Sequence, residues 1–139
     1  MLFRSILNIK ARRLIVISNK DGIPLFDQKF SHLTRSTDES LLAGLLQALM
    51  DLSQEIFDTR ILHEIVIADG ILIMEHTKYV TVGFLCGRST DHLRGLLQTF
   101  VQAFCNRFEK DLERYFGNVE PFLKTSELVK EFFPTLMTI

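Results

Sequence analysis

The chain has 139 residues, 47% hydrophobic and 24% charged, a composition typical of one globular domain and not of a disordered chain. Its formal net charge of −1 gives no overall field to attract nucleic acid, so we expect no nucleic-acid partner. Cys86 and Cys105 form no paired motif and no stretch reaches the roughly 18 apolar residues of a membrane-spanning helix, so we expect a cytoplasmic protein with reduced thiols.

We assign residues 1–139 to a single domain and residues 1–12 to an N-terminal extension of it. Apolar residues of the extension share one helical face, and basic residues lie beside them, a pattern typical of contact with an anionic membrane or a partner groove. Extension of the first strand, or a segment folded onto the core, would explain the same pattern. The residues concerned are Leu2, Phe3, Arg4, Ile6, Leu7, Arg12 and Arg13.

The first predicted elements are two strands and a helix. Leu14 to Ser18 is an apolar run rich in β-branched residues, and Ile23 to Phe30 returns from it after a turn that contains Gly22. Pro24 cannot donate to a ladder, so the second strand should lie at a sheet edge. A helix follows over about Asp38 to Phe57, opened by capping residues at positions 36–39. We expect its stripe to be one broad buried face. The stripe consists of Leu41, Leu45, Leu49, Leu52 and Ile56, widened by Leu42, Leu46 and Met50.

Three strands and two helices make up the rest of the prediction. The strands are Ile61 to Ala68, Ile71 to Glu75 and Tyr79 to Cys86, with a hairpin turn at Asp69-Gly70. Ser89-Thr90-Asp91 opens a helix whose apolar stripe runs to Tyr115, and Ser126 caps a short last helix that Pro134 stops. The sequence therefore predicts an α+β fold with a five-stranded antiparallel sheet, in the order β-β-α-β-β-β-α-α. The helices should pack on the sheet and cover one of its faces.

The two halves also share a pattern, because Ser36-Thr37-Asp38 with Gly44 matches Ser89-Thr90-Asp91 with Gly95. Glycine in a helix costs about 1 kcal/mol relative to alanine, so we expect both glycines to allow close approach of helix to sheet. Coincidence in a leucine-rich sequence is the alternative.

Residue patterns that carry chemistry are scarce. The four histidines, His32, His63, His76 and His92, have no metal-ligand spacing among themselves or with the cysteines. The stretch Gly87 to Thr90 lacks a nucleotide-binding fingerprint and is typical of a strand-to-helix loop. Cys86 is predicted near a helix amino terminus, where a thiol pKa can fall, but a buried inert cysteine is the preferred interpretation. We predict no catalytic residue, no metal and no cofactor.

The order and lengths of these elements resemble the longin fold, a profilin-like architecture, from about Arg12 to Phe133. The turn at positions 21–25, Asp-Gly-Ile-Pro-Leu, also resembles the first hairpin of the related roadblock domains. The short opening segment and the terminal helix favour longin. The resemblance implies a non-enzymatic protein-interaction module, such as a regulatory or scaffold subunit in membrane trafficking. It implies binding of a small GTPase, or of another longin or roadblock subunit as a homo- or heterodimer.

Longin domains bind partners through sheet edges, the first helix and an apolar groove, so the resemblance places the contact surface on the third strand and first helix. An unpaired strand edge also invites the addition of another strand. The candidate partner-binding residues are Leu62, Glu64, Val66, Gln47 and Asp51. Two alternatives stay open: a roadblock-like dimerisation subunit, and a small-ligand-sensing or enzymatic domain. The second would need a polar pocket near the strand ends, with His63, His76 and Cys86 as its first candidates.

Overall fold

Five strands and five helical segments lie along the residues that the computed structural model describes, which are 10–30, 39–57, 63–67 and 70–134. The elements are β1 (Arg13–Ser18), β2 (Pro24–Lys29), α1 (Glu39–Phe57), β3 (Glu64–Ile67), β4 (Gly70–His76), β5 (Val80–Cys86), α2 (Asp91–Arg107), α3 (Glu109–Glu113), a 3-10 helix (Glu120–Lys124) and α4 (Thr125–Phe132). The strands form one antiparallel sheet in the order β2-β1-β5-β4-β3. The predicted α+β class is confirmed, while α3 and the 3-10 helix add to the predicted order.

β1 holds a central place in the sheet because its residues are buried on both faces. It pairs with β5 on one side and β2 on the other, so that Val16 lies opposite both Val82 and Phe26. β2 is an edge strand, as Pro24 predicted. The turn between β1 and β2 needs Gly22, whose φ of +74° is in the left-handed region and whose N–H donates to the Ser18 carbonyl at 2.9 Å.

Helices lie on both faces of the sheet. Side chains alternate along β1, so that Leu14 and Val16 enter the core beneath α2, while Ile15 and Ile17 pack with Leu46 of α1 on the other face. The expectation that all helices cover one face was therefore wrong. The continuous apolar run of β1 is typical of a strand buried on both sides, and it indicates that both faces of the sheet are covered, which the helix patterns alone do not show.

The larger of the two cores is aromatic and joins the sheet to the C-terminal helices. Phe84 of β5 lies 5.5 Å from Phe133, and Phe133 lies 5.9 Å from Phe100 of α2, measured between ring centroids. Phe104 of α2 lies 6.0 Å from Phe122 of the 3-10 helix. These contacts make the C-terminal segment part of the domain core.

Two helix predictions needed correction. The helix expected to run from Asp91 to Tyr115 breaks at Phe108, where φ is −106° and ψ is 19°. The break keeps Phe108 buried and in contact with Phe104, at 4.9 Å between ring centroids. Ser126 does not cap the last helix, because α4 begins at Thr125 and the Ser126 hydroxyl donates to the Leu123 carbonyl at 3.2 Å. The cap predicted for the second helix is confirmed, since the Thr90 hydroxyl accepts from the Leu93 amide at 3.1 Å.

The close approach of helix to sheet occurs at a glycine other than the two predicted. Both Gly44 and Gly95 are exposed, and a Cβ atom at either would meet nothing within 4 Å, so the packing role expected for them was wrong. At Gly83 in β5, a Cβ atom would lie 3.2 Å from Leu46 Cδ1 and 3.3 Å from Ile15 Cγ2. Gly83 therefore sets how closely α1 can lie on the sheet.

Candidate functional site

α1 turns a row of apolar side chains away from the sheet. The described side chains on its sheet-facing side are Ala43, Leu46, Met50 and Ser53, all of which are buried. On the other side, four large side chains are more than half exposed: Leu41 (68%), Leu45 (53%), Leu52 (51%) and Ile56 (61%). We call these four residues the outward face of α1. The prediction that they form part of the core was wrong.

The excess of leucine in α1 explains this error. Residues four apart lie on the same side of a helix, so a helix with leucine in both of two adjacent rows has two apolar sides. The sheet covers only the side with Leu46, and the row with Leu45 then faces solvent. The signal available in the sequence was an apolar surface too wide for one interface, with no charge between Glu39 and Asp51.

A groove of about 230 Å³ runs beside the outward face, between α1 and the part of the sheet that α1 leaves open. Leu45 and Leu49 form its wall on the helix. Its floor consists of Ile65 in β3, Leu72 in β4, and Gly83 with Leu85 in β5. The accessible surface of this lining is apolar throughout, so an apolar side chain entering the groove would displace water without losing hydrogen bonds.

An ion pair between a buried arginine and a partly buried aspartate lies beside the groove. Arg13, which contributes to the lining, is 3% exposed, and its guanidinium donates from Nε to Asp27 Oδ1 at 2.7 Å and from Nη2 to Asp27 Oδ2 at 2.5 Å. This two-point contact satisfies the carboxylate and offsets the positive charge. The groove therefore keeps its apolar character although an arginine borders it.

The described residues among those predicted to bind a partner do not form one surface. Gln47 lies beside the β1–β2 turn, where its Cγ would be 3.3 Å from a Cβ atom at Gly22, and Asp51 is exposed one turn further along. Glu64 forms an ion pair with Arg94 of α2. Val66 is 72% exposed, but its ladder partner Ile71 packs against the aromatic core, on the sheet face opposite α1. Leu62 lies outside the described residues.

The residues proposed for a polar pocket are likewise apart. Cys86 pairs with Ile71 and His76 pairs with Thr81, so the two lie at opposite ends of the β4–β5 ladder, about 17 Å apart at strand spacing. His63 is exposed and precedes edge strand β3. These three residues do not meet in one pocket. Among the described residues, no group of three or more His, Cys, Asp or Glu side chains could hold a metal ion.

Both cysteines are free thiols. Burial raises the pKa of Cys86 above its usual value, although a hydrogen bond with the backbone of Arg88 acts in the opposite direction. Burial also raises the pKa of Cys105. Because the thiolate is the nucleophilic form, these shifts support the interpretation of Cys86 as a buried inert cysteine.

A second cleft, of about 280 Å³, lies at the other end of β1 and includes Lys20, Lys78 and Tyr115. The Lys20 ammonium donates to the Tyr115 carbonyl at 3.1 Å and lies 4.0 Å from the ring centroid of Phe116. Lys78 lies over the Tyr79 ring at 5.3 Å. Both cations thus have partners within the protein, so this cleft offers no free positive charge of Lys20 or Lys78 to a ligand.

The residues predicted to touch a membrane or partner fall mainly in positions 1–9, outside the described part of the chain. Of the others, Arg12 is exposed and Arg13 is buried in its ion pair with Asp27. Within the described ranges, no helix combines the length and the apolar character needed to cross a membrane. No protein-family model matches the chain, and no curated protein is significantly similar to it in sequence.

Proposed function

We propose that the chain is a non-enzymatic protein-interaction module of the longin type, which docks a partner domain on the outward face of α1 and in the adjoining groove. The observation that carries this proposal is the row of four exposed apolar side chains beside an apolar groove. Contiguous apolar surface of this kind marks interaction sites in soluble proteins. The succession of two strands, a helix, three strands and further helices supports the longin assignment.

Stable docking requires that the partner contact the groove as well as the outward face of α1. Full burial of a leucine or isoleucine side chain stabilises by about 1.5–3 kcal/mol, so covering four side chains that are each about half exposed yields roughly 3–6 kcal/mol. Loss of translational and rotational freedom on association costs about as much or more. A stable complex therefore needs a partner that also inserts an apolar side chain into the groove, next to Leu45 and Leu49.

The outward face has a two-fold pattern that favours a second copy of the chain, or a closely related domain, as the partner. Leu45 and Leu52 lie equally far from the midpoint of Ala48 and Leu49, and so do Leu41 and Ile56. Two antiparallel α1 helices related by a two-fold axis at this midpoint would place these leucines and isoleucines opposite one another. The acidic residues Asp51 and Glu55 mirror Leu46 and Leu42, so these two carboxylates would not face one another.

Light scattering coupled to size-exclusion chromatography tests the proposal over a range of protein concentrations. The mass should approach that of a dimer as the concentration rises. Leu45→Asp with Leu52→Asp should raise the dissociation constant at least about 100-fold, because it buries charge where apolar surface was covered. Leu123→Asp is the matched control, since Leu123 is 62% exposed and lies on the 3-10 helix, far along the chain from α1. It should leave the mass unchanged.

A small GTPase, or a longin or roadblock subunit, can bind at α1 in place of a second copy of the chain. The same wild-type and variant chains serve as bait for small GTPases in their two nucleotide states and for longin or roadblock subunits. Capture that depends on Leu45 and Leu52, but not on Leu123, supports docking at α1. A chain that stays monomeric at high concentration and captures none of these partners refutes the proposed function.

A further inference from the structure

The charge of α1 is unbalanced. Its 19 residues include Glu39, Asp51 and Glu55 and no lysine, arginine or histidine, in a chain whose formal net charge is only −1. Glu55 lies in the last turn, at the negative end of the helix dipole, where a carboxylate is unfavourable. The last turn of each of the other described helical segments contains a basic residue, namely Arg107, Lys110, Lys124 and Lys130. The docking helix therefore differs from the others in presenting acidic residues only.

Two of these acids border the outward face on one side. Asp51 and Glu55 are both exposed and lie one helical turn apart, so they belong to the same row, which we call the acidic flank. Glu55 follows Leu52 by three residues and Leu49 precedes Leu52 by three. With about 3.6 residues per turn, Glu55 and Leu49 then lie on opposite sides of Leu52. Since Leu49 forms the wall of the groove, a partner on the outward face meets the groove on one side and carboxylates on the other.

A second copy would bring two acidic flanks together. The two-fold axis between antiparallel α1 helices keeps the same flank of both helices on one side of the pair. At a rise of about 1.5 Å per residue, the two Asp51 residues would be about 8 Å apart along the helices, and Asp51 would be about 14 Å from Glu55 of the other copy. The Debye length is about 30 Å at about 10 mM salt, so the four carboxylates repel one another although none lies directly opposite another. Self-association therefore has an electrostatic cost.

We propose that the acidic flank selects the partner, which is a related domain whose docking helix carries lysine or arginine at the positions of Asp51 and Glu55. The selection rests on the proposed function, because it needs docking through Leu45 and Leu52 on the outward face. A related domain can supply the same apolar contacts as a second copy, so charge determines which of the two binds more tightly. The basic partner has attractions between the flanks where the second copy has repulsions.

A charge-reversed form of the chain itself is the probe that tests this selection. Asp51→Lys with Glu55→Lys keeps every apolar residue of α1 and gives the docking helix a basic flank. Fluorescence anisotropy of the wild-type chain, labelled at its amino terminus, measures its dissociation constants for this variant and for unlabelled wild type. At about 10 mM salt the variant should bind the labelled chain about ten-fold more tightly than wild type does. At about 1 M salt, where the Debye length is about 3 Å, the two dissociation constants should become equal.

Glu109→Lys with Glu113→Lys is the matched control, because it makes the same change of charge at the same spacing on exposed residues of α3. This control should bind the labelled wild type no more tightly than unlabelled wild type does. Leu45→Asp in the labelled chain should weaken its binding of the charge-reversed variant, since that complex forms on the outward face.

The outcomes separate the charge selection from the docking itself. Equal dissociation constants at low salt, or a gain that the α3 control reproduces, would overturn the selection and leave docking at α1 standing. A gain that persists at about 1 M salt would also overturn the selection, since salt screens an electrostatic preference. Binding of the charge-reversed variant by a wild-type chain that does not self-associate would support the selection. The absence of a complex in every combination would overturn both the selection and docking between copies at α1.

Discussion

Substitution of alanine for Gly83 should destabilise the domain, although the same change stabilises many proteins. Gly83 lies in β5, paired with Ile15 of β1 and Met74 of β4, and it faces Leu46 of α1. The Cβ atom that Gly83→Ala introduces would lie 3.2 Å from Leu46 Cδ1, 3.3 Å from Ile15 Cγ2 and 3.5 Å from Leu72 Cδ1. The first two distances are shorter than a normal contact between carbon atoms, so α1 or its side chains must move by a few tenths of an ångström.

The magnitude follows from two opposing effects. Restricting the unfolded chain by a Gly→Ala change stabilises by about 0.4–1 kcal/mol. Overpacking a well-packed core costs about 1–3 kcal/mol. Leu46 ends in a rotatable side chain and can yield, whereas Ile15 is β-branched and fixed in the central strand, so we expect the cost to prevail. The net result should be a loss of about 1 kcal/mol, equivalent to roughly 3–4 °C in a domain of this size.

Urea unfolding measures this effect, with Gly95→Ala as the matched control. Gly95 is exposed in α2 and a Cβ atom there would meet nothing, so the control should gain about 0.5–1 kcal/mol through helix propensity. Both variants should keep the wild-type slope of unfolding free energy against urea concentration, because this slope reports the surface exposed on unfolding. A Gly83→Ala protein as stable as Gly95→Ala would show that α1 does not lie against β5 as closely as the structure has it.

Two further predictions concern buried polar groups. Asp27→Ala should lower the free energy of unfolding in urea by about 3 kcal/mol, because it removes the Asp27 carboxylate from the buried Arg13 guanidinium. Arg13→Met combined with Asp27→Leu should recover most of that loss, because it removes both charges. Equal stability of the two variants would contradict a stabilising role of the Asp27 carboxylate for Arg13. Burial, together with the charge of Asp21, raises the pKa of Tyr115 to about 12. The unfolded chain therefore releases this proton from about pH 10 while the native chain retains it, and stability should fall by up to roughly 2–3 kcal/mol as the pH rises from 10 to 12. Tyr115→Phe should remove the fall in stability that Tyr115 causes between pH 10 and 12, and leave the fall caused by ionisation of the cysteine thiols. If the variant showed the same dependence of stability on alkaline pH as the wild type, Tyr115 would not be its cause.

Much of the fold could be predicted because local patterns and tertiary structure agree. The β-branched run of β1, Pro24 in β2 and the hydroxyl cap at Thr90 each have one plausible structural meaning, and the structure bears all three out. The helix break at Phe108 could not be predicted, because its residue types continue the apolar stripe. Only contacts with Phe104 and Phe122, the latter distant in sequence, explain why Phe108 stays buried there.

The candidate site shows a different limit of sequence reasoning. A hydrophobic stripe indicates that a helix side will be buried, but not against what, and α1 carries two such sides. The same ambiguity misplaced Gly44 and Gly95, whose surroundings depend on which side of each helix meets the sheet. The partner candidates Gln47 and Glu64 lie on different faces of the sheet for a related reason. Gln47 belongs to α1, whereas Glu64 forms an ion pair with Arg94 of α2, a contact that no spacing could reveal.

The two helices are held to the sheet with unequal strength, and this inequality bears on function. α2 buries Leu93, Leu97, Phe100 and Phe104 in the aromatic core, whereas the sheet-facing side of α1 includes the small residues Ala43 and Ser53. Since stabilisation scales with buried apolar area, the described side chains of α1 gain less from the sheet than those of α2 do. Its remaining apolar area lies on the outward face and in the groove. A partner that covers this area would therefore complete the packing of α1, so that docking and the local stability of the docking helix are thermodynamically linked.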